Sequence, residues 1–81
     1  MVNTTVFERQ APAEALRAFD EYLARHAAGP LAEESLDGKA RALAALGRRD
    51  EERGVLQALL ALYPASAYAP RAHARLGALP R

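Results

Sequence analysis

The stretch LAEESLDGKARALAALGRRDEERGVLQALLALYP, residues 31–64, contains two helical patterns that are separated by a glycine and closed by a proline. In its first half, Leu36, Ala40 and Leu43 recur at steps of three and four residues and therefore share one face of a helix. Because the connection at Gly47 is short, the two helices are predicted to form an antiparallel hairpin. The apolar set of the second helix is wide enough to contact two neighbouring helices, and comprises Val55, Leu56, Leu59, Leu60, Leu62 and Tyr63.

Further helical patterns flank this hairpin on both sides. An apolar stripe covers about residues 12–28, where Pro12 suits the first turn of a helix. We expect Gly29 to close that helix in the left-handed conformation. Asp50 is a candidate N-cap for the third helix and Ser66 for the fourth, so four helical segments are predicted.

The composition favours helices throughout the 81 residues. Alanine, leucine, arginine and glutamate dominate, and β-branched residues are nearly absent after Val6. We therefore predict an all-α fold in which antiparallel helical hairpins stack as a short α-solenoid of about four helices. Residues 1–10 lack clear periodicity and are predicted to form an arm, which assigns the helical repeat domain to residues 11–81.

The net charge, the length of the apolar runs and the cysteine content each argue against a class of partner or chemistry. A formal net charge of +1 does not favour nucleic acid, and the longest apolar run, residues 58–63, is too short for insertion into a membrane. The absence of cysteine excludes disulfides and a thiolate nucleophile. All ten acidic residues lie between Glu8 and Glu52, whereas the charged residues after Gly54 are all arginines, so the two ends should differ in potential.

The hairpin resembles the tetratricopeptide repeat (TPR), in which the first helix has a large, small, large pattern and a proline closes the second. The positions that match this repeat, or the end of a preceding one, are Ala15, Phe19, Leu36, Ala40, Leu43, Gly47, Leu56 and Pro64. Three residues depart from the pattern, since Glu52 and Leu59 stand where the family has alanine and Lys39 replaces a usual leucine.

The junction over residues 59–72 resembles, more narrowly, the repeat modules of bacterial envelope proteins, among them outer-membrane assembly lipoproteins and the Tol–Pal accessory protein. This resemblance implies a stacked TPR-like fold that binds other proteins and is not an enzyme. We expect a periplasmic or envelope-associated location if the chain is a piece of a longer protein, and a cytoplasmic one otherwise.

Catalytic and metal-binding patterns are missing from the sequence. His26 and His73 lack further ligands at metal-binding spacing, and the adjacent acids Asp20 and Glu21 do not face each other across a cleft. The glycines are scattered and do not form a phosphate-binding loop. We therefore expect no catalytic residue, no cofactor and no metal, and a small enzyme or metal protein is the least favoured alternative.

The TPR resemblance implies a concave groove lined by the first helix of each repeat. It places four candidate protein-binding residues there, Asp37, Arg41, Arg71 and Arg75. Ordinary surface charge is the competing interpretation, because exposed ion pairs are common and weak.

Two functional hypotheses follow from the resemblance. The first is a protein–protein interaction or scaffold module that binds a protein or peptide through the groove or through a stacking edge. The second is a structural self-assembling repeat unit, a homo-oligomer. It is motivated by the small number of repeats and by the acidic first part and basic end, which favour head-to-tail stacking.

Overall fold

The computed structural model describes the backbone of residues 4–80 and the side chains of residues 10–80. Its elements are four α-helices: α1 (Thr4–Arg25), α2 (Ala32–Ala45), α3 (Arg49–Leu62) and α4 (Ala69–Ala78). Each helix packs on the next along the chain, α1 on α2, α2 on α3 and α3 on α4. Because residues 4–80 contain helices and no strand, the predicted all-α class with stacked consecutive helices is confirmed.

The core is built from the apolar faces that the periodicity predicted. Leu43 of α2 and Leu59 of α3 are fully buried. Leu43 belongs to a cluster with Leu16 of α1, and Leu59 belongs to a cluster with Ala72 of α4. Val55 packs against both clusters, so α3 connects the two halves of the core.

The end of α2 confirms the predicted turn at Gly47, which has a positive φ of 73°. The Gly47 N–H donates to the Ala44 carbonyl at 3.1 Å, and the Arg48 N–H donates to the Leu43 carbonyl at 2.9 Å. These two bonds form the Schellman motif, which satisfies carbonyl groups at the end of a helix and needs a left-handed residue.

The end of α1 differs from the prediction, because Gly29 does not adopt the left-handed conformation. A side chain at Gly29 would instead collide with the Tyr22 hydroxyl, which lies 2.6 Å from the Cβ position. That hydroxyl accepts a hydrogen bond of 3.0 Å from the Leu31 N–H. Glycine is therefore required here for a close approach between the turn and Tyr22.

The start of α1 also differs from the prediction. The helix begins at Thr4, and Pro12 lies in its interior, where it removes one backbone hydrogen bond, and not in its first turn. Of the arm predicted for residues 1–10, residues 1–3 lie outside the described part of the chain, and the backbone from Thr4 onward is helical. The division into an arm and a domain at residue 11 stays a prediction.

Two predicted N-caps are displaced by a few residues. Helix α3 begins at Arg49, so Asp50 lies within its first turn, where an acid still favours the positive end of the helix dipole. Ser66 precedes the start of α4 and makes a turn, in which its hydroxyl accepts a hydrogen bond of 3.1 Å from the Tyr68 N–H. In both cases the cap was placed by residue type alone, while the turn geometry sets the helix start.

Candidate binding groove

Residues of α2, α3 and α4 line one concavity with a volume of about 550 Å³, which we call the α2–α4 groove. Its apolar lining consists of Ala40 and Ala44 of α2, Leu56 of α3 and Ala74 of α4. Its charged lining consists of Arg41 of α2, Glu52 of α3, and Arg71 and Arg75 of α4. Each helix contributes residues one turn apart, which places them on the face that the helix turns to the groove.

Asp37 connects α2 to α4 at the rim of the groove. Its Oδ1 atom lies 2.8 Å from Arg71 Nη2 on α4, and its Oδ2 atom lies 3.2 Å from Arg41 Nε on its own helix. The Asp37 side chain is only 8% exposed. One buried carboxylate is therefore shared by two guanidinium groups, one of which belongs to a different helix.

Burial raises the pKa of the Asp37 carboxyl above its ordinary value, because removal from water disfavours the charged form. The charge of Arg41 and its hydrogen bond act in the opposite direction and reduce this increase in pKa. Desolvation therefore outweighs the attraction at Asp37, as it can in buried ion pairs.

Glu52 is the most buried charged group of the groove, with a side chain that is 2% exposed. It accepts hydrogen bonds from Arg75 Nε at 2.6 Å and from Arg75 Nη2 at 3.1 Å, a bidentate arrangement that links α3 to α4. The hydrogen bond to Glu52, together with its charge, raises the pKa of Arg75. Among the described residues, no buried side-chain oxygen or nitrogen is left without a partner.

The charged groups around the groove leave an excess of one positive charge, because three arginines face the two carboxylates of Asp37 and Glu52. The excess is most accessible at Arg41, whose side chain is 62% exposed. The groove thus combines a floor made of alanines and one leucine with a cationic rim.

All four residues predicted for the groove are brought together. Arg41, Arg71 and Arg75 line it, and Asp37 lies at its rim in contact with two of these arginines. Their role in binding stays a prediction. Glu52, a departure from the TPR pattern, is not among the residues predicted for the groove, although an acid within the apolar periodicity of α3 indicates a buried partner.

The other two departures from the TPR pattern have structural counterparts. Lys39 Nζ of α2 lies 2.7 Å from Asp20 Oδ1 of α1, so an ion pair occupies the place of an apolar contact. Leu59 of α3 is fully buried in the core between the helices. The charged Lys39 is therefore accommodated by an ion pair, and the larger Leu59 by the core cluster that also contains Leu56 and Ala72.

Charged residues outside the groove form separate ion pairs, and Glu21, Arg25 and His26 line a second, smaller concavity. No group of three or more His, Asp or Glu side chains within the described residues is placed to hold a metal ion. His26 is exposed and its ring lies 5.0 Å from that of Tyr22, beside this concavity of about 250 Å³.

Comparison with protein-family models, with curated proteins and with solved structures finds no match for this chain. Among the described helices, none is long and apolar enough to cross a membrane.

Proposed function

We propose that this protein is an interaction module whose α2–α4 groove binds a segment of a partner protein. The observation that carries the proposal is the combination of an apolar floor with a cationic rim. Alanines at positions 40, 44 and 74 leave a volume of about 550 Å³ that no side chain of the described residues fills. Mostly apolar concavities with a few placed polar groups are the usual form of a binding site.

The state of the carboxylates supports binding over catalysis. Asp37 and Glu52 each accept hydrogen bonds or ion-pair contacts from arginines, so neither is placed to move a proton to or from a substrate. The arginines remain charged at any physiological pH and present donors to the groove. Such a surface recognises shape and charge.

A TPR-like arrangement is part of this proposal. In it, α2 and α3 are the two helices of one repeat and α4 is the first helix of the next. The TPR resemblance implies that first helices line the concave surface, and α2 and α4 contribute six of the eight residues that line the groove. This agreement supports the assignment, and the predicted absence of catalysis and cofactors belongs to the same proposal.

The test is to fill the groove. Ala74→Trp places a large ring at an exposed lining position of α4, and Ala61→Trp, at an exposed position of α3 outside the groove, is its matched control. A displayed library of dodecapeptides is selected on the immobilised wild-type chain, and the enriched peptides are synthesised. We expect them to bind the wild type and Ala61→Trp, and to lose affinity for Ala74→Trp. Equal affinity for both variants would contradict the proposal.

A further inference from the structure

We infer that the segment bound by the α2–α4 groove is helix α1 of a second copy of this chain. This inference rests on the proposed function and names its partner. It identifies the surfaces for the self-assembly that the sequence suggested as an alternative. Two complementary surfaces at different places on one chain carry it.

The first surface is an exposed stripe on α1. Ala11, Glu14, Ala18 and Glu21 are all exposed and recur at steps of three and four residues, so they lie along one side of the helix. Helix α1 packs on α2 through its other side, where Leu16 is buried. The stripe therefore alternates small apolar residues with carboxylates and has no partner helix in the described part of the chain.

The second surface is the groove, whose composition is the complement of this stripe. Alanines on both sides allow two helix axes to approach closely, because no large side chain separates them. Glu14 and Glu21 are about 10 Å apart along α1, two turns of one face, so a helix lying in the groove can present either carboxylate to Arg41 at the rim. A helix laid in a groove is a common mode of protein recognition.

Arg41 is the group that receives the incoming carboxylate. It makes the longer of the two contacts to Asp37, 3.2 Å against 2.8 Å for Arg71, and its side chain is 62% exposed. Asp37 therefore keeps Arg71 as a partner when Arg41 turns to Glu14 or Glu21 of the second copy. The exchange uses the excess positive charge of the groove and leaves no buried charge unpaired.

The geometry makes the assembly head-to-tail. The stripe and the groove lie on different parts of the same chain, so each copy offers one of each, and the contact is heterologous. Such a contact continues from copy to copy as a chain, or closes as a ring. Assembly should rise with protein concentration and weaken with salt.

The experiment measures the solution mass by light scattering across protein concentration, at low and at high salt. We expect the mass to rise above the monomer value of 8.7 kDa with concentration, and high salt to lower it. The double variant Glu14→Arg/Glu21→Arg disables the stripe, and Arg41→Glu disables the groove. Each variant should raise the dissociation constant of the assembly by about tenfold or more, because like charges then face each other.

Mixing the two variants is the decisive step. Each retains one intact surface, and the two reversed surfaces carry opposite charges, so an equimolar mixture should recover the assembly that each variant loses alone. Glu34→Arg, an exposed reversal on α2 outside both surfaces, is the matched control and should assemble like the wild type. Circular dichroism checks that every variant is helical, and Arg41→Gln replaces Arg41→Glu if the latter unfolds.

The outcomes separate this inference from the proposed function. A wild type that stays monomeric at high concentration and low salt overturns the inference. It is also overturned if the control Glu34→Arg weakens assembly as much as the stripe and groove variants do. If the monomer still binds selected peptides that Ala74→Trp excludes, the groove is a binding site for another protein. If no peptide binds and no assembly occurs, both the inference and the proposed function are overturned.

Discussion

The Glu52 carboxylate on α3 accepts two hydrogen bonds from the Arg75 guanidinium on α4, at 2.6 and 3.1 Å, while its side chain is only 2% exposed. Asp37 of α2 contacts Arg71 of α4 at 2.8 Å in a similar way. Two of the three arginines that line the groove, Arg71 and Arg75, therefore also attach α4 to α2 and α3. Effects of groove substitutions on binding have to be separated from their effects on stability.

Replacing Glu52 with glutamine should lower the free energy of unfolding by about 1–3 kcal/mol, because a buried charge-assisted pair is lost and an NH2 donor replaces one of the two oxygens that accept from the guanidinium. Urea denaturation measures this change. Glu51→Gln is the control, since Glu51 is exposed and paired with Arg48, and should cost less than about 0.5 kcal/mol. Equal stabilities of the two variants would show that the buried pair contributes nothing beyond a surface pair.

Replacing Gly38 with alanine should destabilise the protein by about 1–3 kcal/mol, as overpacking does, although alanine is the better helix former. A Cβ at Gly38 of α2 would collide with the Phe19 ring of α1. Gly54→Ala is the control, because its Cβ meets open space, and should stabilise by about 0.5–1 kcal/mol. Thermal unfolding compares the stabilities of the two variants. Stabilisation by both substitutions would contradict the close contact between Gly38 and the Phe19 ring.

Replacing Gly47 with alanine should lower the free energy of unfolding by about 1–2 kcal/mol, since an L-residue is strained at a φ of 73°. The loss arises from the backbone, because nothing lies within 4 Å of the Cβ position. Gly77→Ala on α4 is a control with equally open surroundings and no positive φ. Chemical denaturation should show a lower free energy of unfolding for Gly47→Ala and a higher one for Gly77→Ala. An unchanged free energy of unfolding for Gly47→Ala would exclude the strain.

Asp37→Asn tests the raised pKa of Asp37 through the pH dependence of stability. The folded pKa lies above the ordinary value of 3.8, so the native state binds this proton more tightly than the unfolded chain does. The contribution of Asp37 is thus present at low pH and is lost as pH rises through the folded pKa. The free energy of unfolding of the wild type minus that of Asp37→Asn should decrease from about pH 3 to about pH 7.

Asp50→Asn is an exposed comparison for this pH experiment, because the Asp50 side chain is fully exposed and pairs with Arg53 at 3.1 Å. Its curve is measured beside that of Asp37 and is not subtracted from it. If the stability difference for Asp37 grows as pH rises, the arginines stabilise the carboxylate by more than burial destabilises it. That result would reverse the predicted direction of the pKa.

Much of the fold follows from periodicity alone. Leu43 and Leu59 were assigned to apolar faces from their spacing, and both are fully buried, because a helix with one apolar stripe can remove it from water only against a neighbour. Helix ends were less predictable. The predicted turn at Gly47 is confirmed, because its geometry depends on adjacent residues. The left-handed conformation predicted for Gly29 is wrong, because Gly29 makes room for Tyr22.

The groove shows the same division between local and distant relationships. Asp37 and Arg41 are four residues apart, and their pairing on one helix follows from helical geometry. The TPR resemblance, and not spacing, predicts that Arg71 and Arg75 project into the groove. Glu52 was not assigned to it, because its partner is 23 positions away in the sequence.

The sequence by itself determined that the chain forms helices, which faces of those helices are apolar, and where Gly47 turns the chain, because these properties depend on neighbours within a few residues. Only the tertiary structure decided which charged groups meet between helices. Arg75 reaches Glu52, and Lys39 reaches Asp20, across helix interfaces. A helical period specifies the side on which a residue lies, whereas its partner depends on how the neighbouring helix is rotated and shifted when the cores pack.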